Sequence, residues 1–421
     1  MKLPRFALRP SCVTALFTVL LVGATLVRAA DPAALGFDPA RLARLDRAIQ
    51  EQVDQAQLAG GVMLVLRDGQ VAHLRAFGQQ DLEAKTPMKT DAIFRIASMS
   101  KAITTVAALI LYEEGRFMLN DPVSKFIPEF ANSQVAVALP AGATGPGKYT
   151  TEKVKSPITI RQLMTHTAGL TYGNFVAADD YKAANLFGWY FADKDETIGD
   201  AMKRLGKLPL AHHPGEAFDY GYGTDLLGYL VEVVSGQPLD RFIAERITGP
   251  LKMADTSFFL PADKVGRLAT VYGIKDGKLV RGDQGHYVDG PRKCFSGGAG
   301  LLSTAGDYGR FLQMLLNGGE LDGVRVLSPT TVALMHENHV GDLFMNGRQG
   351  FGLGFFVNDR PGRFGEAIGP GAYGWGSAYF PQYVVDPKER LVVLFMTQHL
   401  PAGTNDLNQR MKVLTYQALI K

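Results

Sequence analysis

The stretch Ser98-Met99-Ser100-Lys101, continued by the apolar run Ile103 to Glu114 and stopped at Gly115, reads as a buried helix with a polar start. If the helix begins at Ser98, Lys101 lies one turn on and on the same face, so its amine reaches the seryl oxygen. The first turn also offers unpaired backbone N–H groups and the positive end of a helix dipole, which stabilise an alkoxide or an oxyanion. Alone the pattern says little: a Ser and a Lys three apart arise about once by chance in a chain this long, and the bland reading is a serine cap beside a solvated lysine. The surrounding sequence has to decide.

On the N-terminal side, Leu42, Leu45, Ile49 and Val53 recur at helical spacing, which predicts an amphipathic helix between Ala40 and Leu58. Val62 to Leu66 and Val71 to Phe77 flank Arg67-Asp68-Gly69-Gln70, a hairpin signal. Near the other end, Tyr383-Val384-Val385 and Leu391 to Met396 flank Asp386-Pro387-Lys388-Glu389-Arg390, a second one. Strands at both ends predict that the termini meet in one sheet. Residues 31–130 and 281–421 are therefore expected to form a sheet-plus-helix domain. Residues 131–280, which open on a Pro- and Gly-rich loop from Leu139 to Thr151, carry mostly helical patterns and read as an inserted helical domain.

Composition narrows the class. The chain has 421 residues, 46% hydrophobic and 20% charged, with 47 Gly and 22 Pro, which fits a loop-rich globular protein and excludes disorder and coiled coil. Residues 1–29 read as an export signal: Lys2, Arg5 and Arg9, an apolar run from Cys12 to Leu26, then Val27-Arg28-Ala29 before the cut. Of the 44 basic residues four lie in this leader, so the mature chain carries 40 against 41 acidic ones, and nothing favours nucleic acid or anionic lipid. Cys12 leaves with the leader and only Cys294 remains, so no internal disulfide forms. The expected location is a bacterial periplasm or beyond, with no stable membrane insertion after cleavage.

Two further stretches carry chemistry. In Pro214-Gly215-Glu216-Ala217-Phe218-Asp219-Tyr220-Gly221-Tyr222, a tyrosine precedes the helical run Leu226 to Leu230. A phenol and a lysine ordinarily hold their protons at neutral pH, and become a base when desolvated together so that they share one. Tyr220 beside Lys101 could then take the Ser98 proton and return it to a leaving group. In Gly371-Ala372-Tyr373-Gly374-Trp375-Gly376-Ser377-Ala378, small residues let a strand edge approach a ligand, and the Ala378 N–H could pair with that of Ser98 as an oxyanion hole. The bland alternatives are loop aromatics and a surface turn.

Together, in this order, the three stretches resemble the serine β-lactamase and penicillin-binding-protein superfamily, nearest its class C branch and more closely the family VIII carboxylesterases. Ser98-x-x-Lys101 is similar to the nucleophile motif, Tyr220 to the tyrosine of the Tyr-x-Asn motif, and Trp375-Gly376-Ser377 stands in the place of the Lys-Thr-Gly strand. Leu163 to Leu170, Asp121-Pro122-Val123, Gly298 to Ala305 and Pro250 to Met253 also resemble that superfamily. The resemblance implies an α/β fold of the α+β type, β-lactamase/DD-peptidase-like, with an antiparallel sheet flanked by helices and an inserted all-helical lobe. It implies an acyl-enzyme on Ser98, Lys101 and Tyr220 as one proton-sharing unit whose formal base stays unassigned, and neither metal nor cofactor.

The departures point further. Tyr222 stands where the lactamases have Asn, and Trp375 replaces the lysine that attracts a substrate carboxylate, a charge an indole cannot hold. A flatter, more apolar cleft suits a small uncharged ester as substrate. Trp375, Gly376, Ser377, Tyr222 and Tyr172 are the expected substrate contacts, with Trp189 and Phe380 as further pocket aromatics. The leading expectation is a serine carboxylesterase. A β-lactamase or DD-peptidase, an acyl or amide transferase, and a non-catalytic cell-wall-binding relative are the alternatives. His336-Glu337-Asn338-His339 and His212-His213 are thin grounds for a metal, His166 reads as a hydrogen-bonded core residue, and no Gly-x-Ser-x-Gly elbow occurs.

Overall fold

The structure is a computed structural model and describes residues 30–140, 148–402 and 406–421, so the expected leader lies outside the described residues. Its first element, helix α1 (Pro39–Asp54), is started by Asp38, whose carboxylate accepts from the Ala40 and Arg41 N–H groups, and by Pro39 at the first helical position. The helix ends a turn earlier than the apolar spacing predicts, because Ala56 turns left-handed (φ 51°) and sends Leu58 into the core. Strands β1 (Gly60–Arg67) and β2 (Gln70–Asp81) form the first hairpin, with Arg67 paired to Gln70. Asp68 and Gly69 both have positive φ, as a two-residue turn matched to strand twist requires.

After the short strand β3 (Thr86–Pro87), helix α2 (Ser100–Glu113) runs through the centre of the molecule, buried from Ser100 to Leu111, and the chain leaves it through left-handed Gly115. Helix α3 (Gly223–Ser235) packs along it, and α4 (Ala305–Leu316) covers the sheet. Strands β4 (Gly350–Phe351), β5 (Phe356–Val357), β6 (Tyr373–Gly376), β7 (Gln382–Asp386) and β8 (Leu391–Thr397) precede the last helix, α5 (Leu407–Tyr416).

The eight strands make one antiparallel sheet in the order β4-β5-β6-β7-β8-β1-β2-β3. The β1–β8 pairing, Gly61 opposite Thr397 through Arg67 opposite Leu391, joins the two chain ends. Side chains alternate across β1: Met63 and Val65 pack with Leu45 and Ile49 of α1 and Met411 of α5, while Val62, Leu64 and Leu66 face Phe311 and Leu312 of α4. This is the antiparallel sheet with flanking helices that the sequence predicts.

The segment 131–280 is not all-helical. Besides α3 and the short helices Ile160–Met164, Ala178–Ala183, Ile198–Leu205 and Leu239–Ile243, it holds two hairpins, Gln134–Ala138 with Tyr149–Lys153 and Tyr272–Lys275 with Lys278–Arg281. Tyr149–Lys153 is almost wholly exposed and so shows no apolar alternation. The second hairpin turns on Asp276-Gly277, both at positive φ, the same dipeptide signal as in the first.

Glu232 of α3 accepts from the Leu239 N–H at 2.9 Å, tying two helices together, and burial raises its carboxyl from 4.5 to about 6. The folded state therefore binds the proton more tightly than the unfolded chain. Its contribution to stability is full below about pH 4.5 and is lost as pH rises towards 6. Glu232→Gln keeps an acceptor for Leu239 without the buried charge. Thermal unfolding of this variant should show a gain of about 1 to 2 kcal/mol at pH 7.5 and none at pH 4.

Candidate active site

Ser98 sits in the single 3-10 turn Ala97–Met99 that feeds α2. Ala97 just before it has φ 36°, a left-handed conformation that an L-residue holds only when its surroundings enforce it. The enforcement is visible: Tyr308 donates its hydroxyl to the Met99 carbonyl at 2.9 Å, and the Ser100 hydroxyl accepts from the Leu301 N–H at 3.0 Å.

Lys101 follows in the first turn of α2 and is fully buried. Its ammonium has three donors and three acceptors: the Gly298 carbonyl at 2.8 Å, the Tyr172 hydroxyl at 3.0 Å and the Ser98 Oγ at 3.5 Å. It lies 4.6 Å from the centre of the Tyr220 ring and 5.7 Å from that of Tyr172, the range of a cation–π contact. Lys101 thus reaches Ser98 directly, while two phenols from distant parts of the chain, Tyr172 by its hydroxyl and Tyr220 by its ring, meet the lysine.

The loop bearing Tyr220 is held against the Tyr172 loop by Gly221, where a β-carbon would collide with the Leu170 carbonyl and the Thr171 backbone. The Tyr172 and Tyr220 rings meet edge to face at 5.9 Å. Burial pushes the Tyr172 hydroxyl well above its ordinary value, so it is a neutral phenol beside the lysine. The Tyr220 oxygen accepts from the indole N–H of Trp375 at 3.0 Å.

One cavity of about 670 Å3 exposes Ser98, Tyr172, Tyr220, Trp189, Trp375, Gly376, Ser377 and Ala378 together. Strand β6, which carries Trp375 and Gly376, packs against the turn that holds Ser98. The Ala378 N–H makes no hydrogen bond among the described residues, which leaves it free for an oxyanion. Tyr222 lies elsewhere: it is fully buried, donates its hydroxyl to the Gly188 carbonyl at 2.6 Å and packs beneath Tyr172. As placed it supports Tyr172 and does not line the cavity. Phe380 is likewise buried off the cavity wall.

Sequence reasoning missed Asp225. It is fully buried in the first turn of α3, and its Oδ1 accepts from the Ser296 hydroxyl at 2.5 Å and the Gly298 N–H at 3.0 Å. Gly298 in turn offers its carbonyl to Lys101, so the carboxylate fixes the loop that fixes the lysine. Burial raises its carboxyl and Lys101 opposes the rise. The signal was a charged residue on the apolar face of a helix that begins beside Tyr220.

The histidines fall outside this machinery. His166 packs its ring 4.5 Å from that of Tyr220 with neither nitrogen hydrogen-bonded, against the expectation of a hydrogen-bonded core residue. Burial, aided by Lys101, depresses its pKa far enough to keep it neutral and apolar in character. His336 stacks on Tyr373, while His212 and His213 contact Asp219 and Glu152.

Comparison with known proteins agrees with this architecture. The Beta-lactamase family model matches residues 45–416. Esterase EstB of Burkholderia gladioli is 31% identical over 389 residues, covering 87% of this chain and 93% of its own. Protein Rv1367c of Mycobacterium tuberculosis is 36% identical over 368 residues, covering 84% of this chain and 89% of its own. Among solved structures, EstCE1, described as a hydrolase with promiscuous acyltransferase activity, superposes with a TM-score of 0.77 at 27% identity over 90% of this chain and 99% of its own. With a serine and two phenols lining one cavity above a buried lysine, and with these relatives, the chain belongs to the beta-lactamase family, in the esterase branch of the serine β-lactamase and penicillin-binding-protein superfamily.

Proposed function

We propose that this protein is an exported serine carboxylesterase that hydrolyses small uncharged esters through an acyl-enzyme on Ser98. The observation that carries the reading is Trp375. It occupies the position at which a charged-substrate enzyme of this superfamily has lysine, lines the cavity with an apolar ring, and spends its one polar hydrogen on Tyr220. The wall at Trp375 offers surface to an acyl or alkoxy chain and no cation for a carboxylate, and the lysine elsewhere in the cavity lining, Lys412, is paired with Glu366.

In the proposed cycle the Ser98 Oγ attacks the ester carbonyl carbon while its proton passes to the Lys101–Tyr220 unit. The oxyanion rests on the N–H groups of Ser98 and Ala378. Collapse of the tetrahedral intermediate breaks the bond to the alkoxy oxygen, which takes the proton and leaves as alcohol. Water then repeats the sequence on the acyl-enzyme, releasing the acid and returning the proton to Ser98. Tyr172 holds the Lys101 ammonium at 3.0 Å and steadies the pair.

A second outcome of the same intermediate is transfer to an alcohol in place of water. The relatives favour keeping it in view: a monacolin J acid methylbutanoyltransferase of Aspergillus terreus is 29% identical over 410 residues, covering 88% of this chain and 93% of its own. Export through residues 1–29 completes the reading, and among the described residues no helix is long and apolar enough to cross a membrane.

Three measurements test it. A short-chain p-nitrophenyl ester should be turned over with a larger kcat/KM than a charged cephalosporin, and the reverse order refutes the esterase reading. Tyr220→Phe should lower kcat by about 10² to 10⁴ and Trp375→Phe by about tenfold, with Tyr172→Phe milder than Tyr220→Phe. A larger loss at 172 would transfer the proton-handling role to that phenol. N-terminal sequencing of the exported protein should begin at Ala30, and an intact Met1 would contradict cleavage.

A further inference from the structure

The cavity has a second, polar wall that the reaction at Ser98 does not use. Gln382 of β7 pairs across the sheet with Gly376, and its side-chain amide donates to the Asn408 carbonyl at 3.3 Å, so this wall starts one strand over from the Gly376–Ala378 edge. Glu366, from the loop between β5 and β6, and Asn408 and Lys412, from α5, complete it. Lys412 donates to Glu366 Oε1 at 2.6 Å, with side chains only 13% and 9% exposed, and its ammonium also faces the Phe356 ring.

Two acceptors in this wall go unused. Glu366 Oε2 and the Asn408 side-chain oxygen are buried and have no hydrogen-bond partner among the described residues. Folded proteins pair nearly all such atoms, because an acceptor withdrawn from water without a donor is destabilising. Here both belong to residues that line the cavity with their other atoms, so a substituent that enters the wall and parts the packing over these oxygens would supply the missing donor. The charges of Lys412 and Glu366 cancel at contact distance, which leaves the wall without a net attraction for an ion. A neutral donor group fits it and a charged one does not.

We propose that Glu366 and Asn408 form a subsite for a hydroxyl-bearing substituent of the substrate, making this an esterase for hydroxylated esters in preference to plain alkyl ones. The proposal rests on the esterase reading for its substrate class, but the subsite can be tested without turnover.

Four esters separate the acyl side from the alcohol side: methyl butyrate against methyl 3-hydroxybutyrate, and propyl butyrate against glyceryl monobutyrate. The wild-type enzyme should favour the hydroxylated member of at least one pair by about tenfold or more in kcat/KM. Asn408→Leu should bring that ratio to within about twofold, and Asn408→Asp, which keeps an oxygen acceptor, should retain it. Calorimetric binding of the same four esters to Ser98→Ala reads the subsite alone, and the same preference should appear there.

Ratios near one in both turnover and binding overturn the subsite and leave the esterase reading standing. Failure to hydrolyse any of the four, with the binding preference intact, overturns the esterase reading and leaves the subsite. A preference for butyrylcholine over glyceryl monobutyrate shows a cationic site and contradicts the neutral one.

Discussion

A buried ammonium surrounded by acceptors but touching no carboxylate among the described residues organises this molecule. Lys101 is fully buried, and each of its three donors has a partner: a backbone carbonyl, a phenol and the seryl oxygen. A charge withdrawn from water is tolerable only when its hydrogen bonds are replaced and a countercharge stands near. Asp225 supplies the countercharge at one remove, through the loop whose carbonyl Lys101 uses. A direct ion pair would hold the proton on lysine. In the proposed cycle a partner set back behind a peptide group supports the cation and leaves a proton able to move along the Ser98, Lys101 and phenol cluster.

The fold follows from the need to bring those partners together. Ser98 comes from the turn that feeds the central helix α2 and Lys101 from its first turn, Tyr172 and Tyr220 come from two loops of the inserted segment, and Gly298 precedes the strand and helix that return the chain to the sheet. Trp375 and Ala378 arrive last, on and just after a strand of that sheet. The pairing of β1 with β8 locks the two ends into a single platform, and the aromatic contacts among Tyr172, Tyr220, Tyr222 and Trp375 tie the inserted loops to it. Activity in this arrangement depends on long-range packing more than on any local motif.

That explains which features could be read from the sequence. The two sheet hairpins, α1 and the buried α2 were legible because each has a local signature: apolar spacing, an Asp-Gly turn, a terminating glycine. Ser98, Lys101, Tyr220 and Trp375 stood out because each sits in a short pattern whose chemistry is recognisable. The polar hairpin at Tyr149–Lys153 left no apolar rhythm to find. Tyr222 was misplaced because spacing cannot say which of two tyrosines flanking a glycine faces the cavity. Asp225 and the Glu366–Lys412 wall depend on contacts between segments distant in the chain, and no local window contains them.

In the proposed mechanism Lys101 converts an ordinary serine hydroxyl into a nucleophile. Its most direct test is the rate at which a fluorophosphonate modifies the protein, followed by mass spectrometry of the digest. One adduct is expected, on Ser98, formed on the order of 10³-fold more slowly in a folded Lys101→Met variant. Equal rates in the two proteins, or an adduct on a different serine, would contradict it.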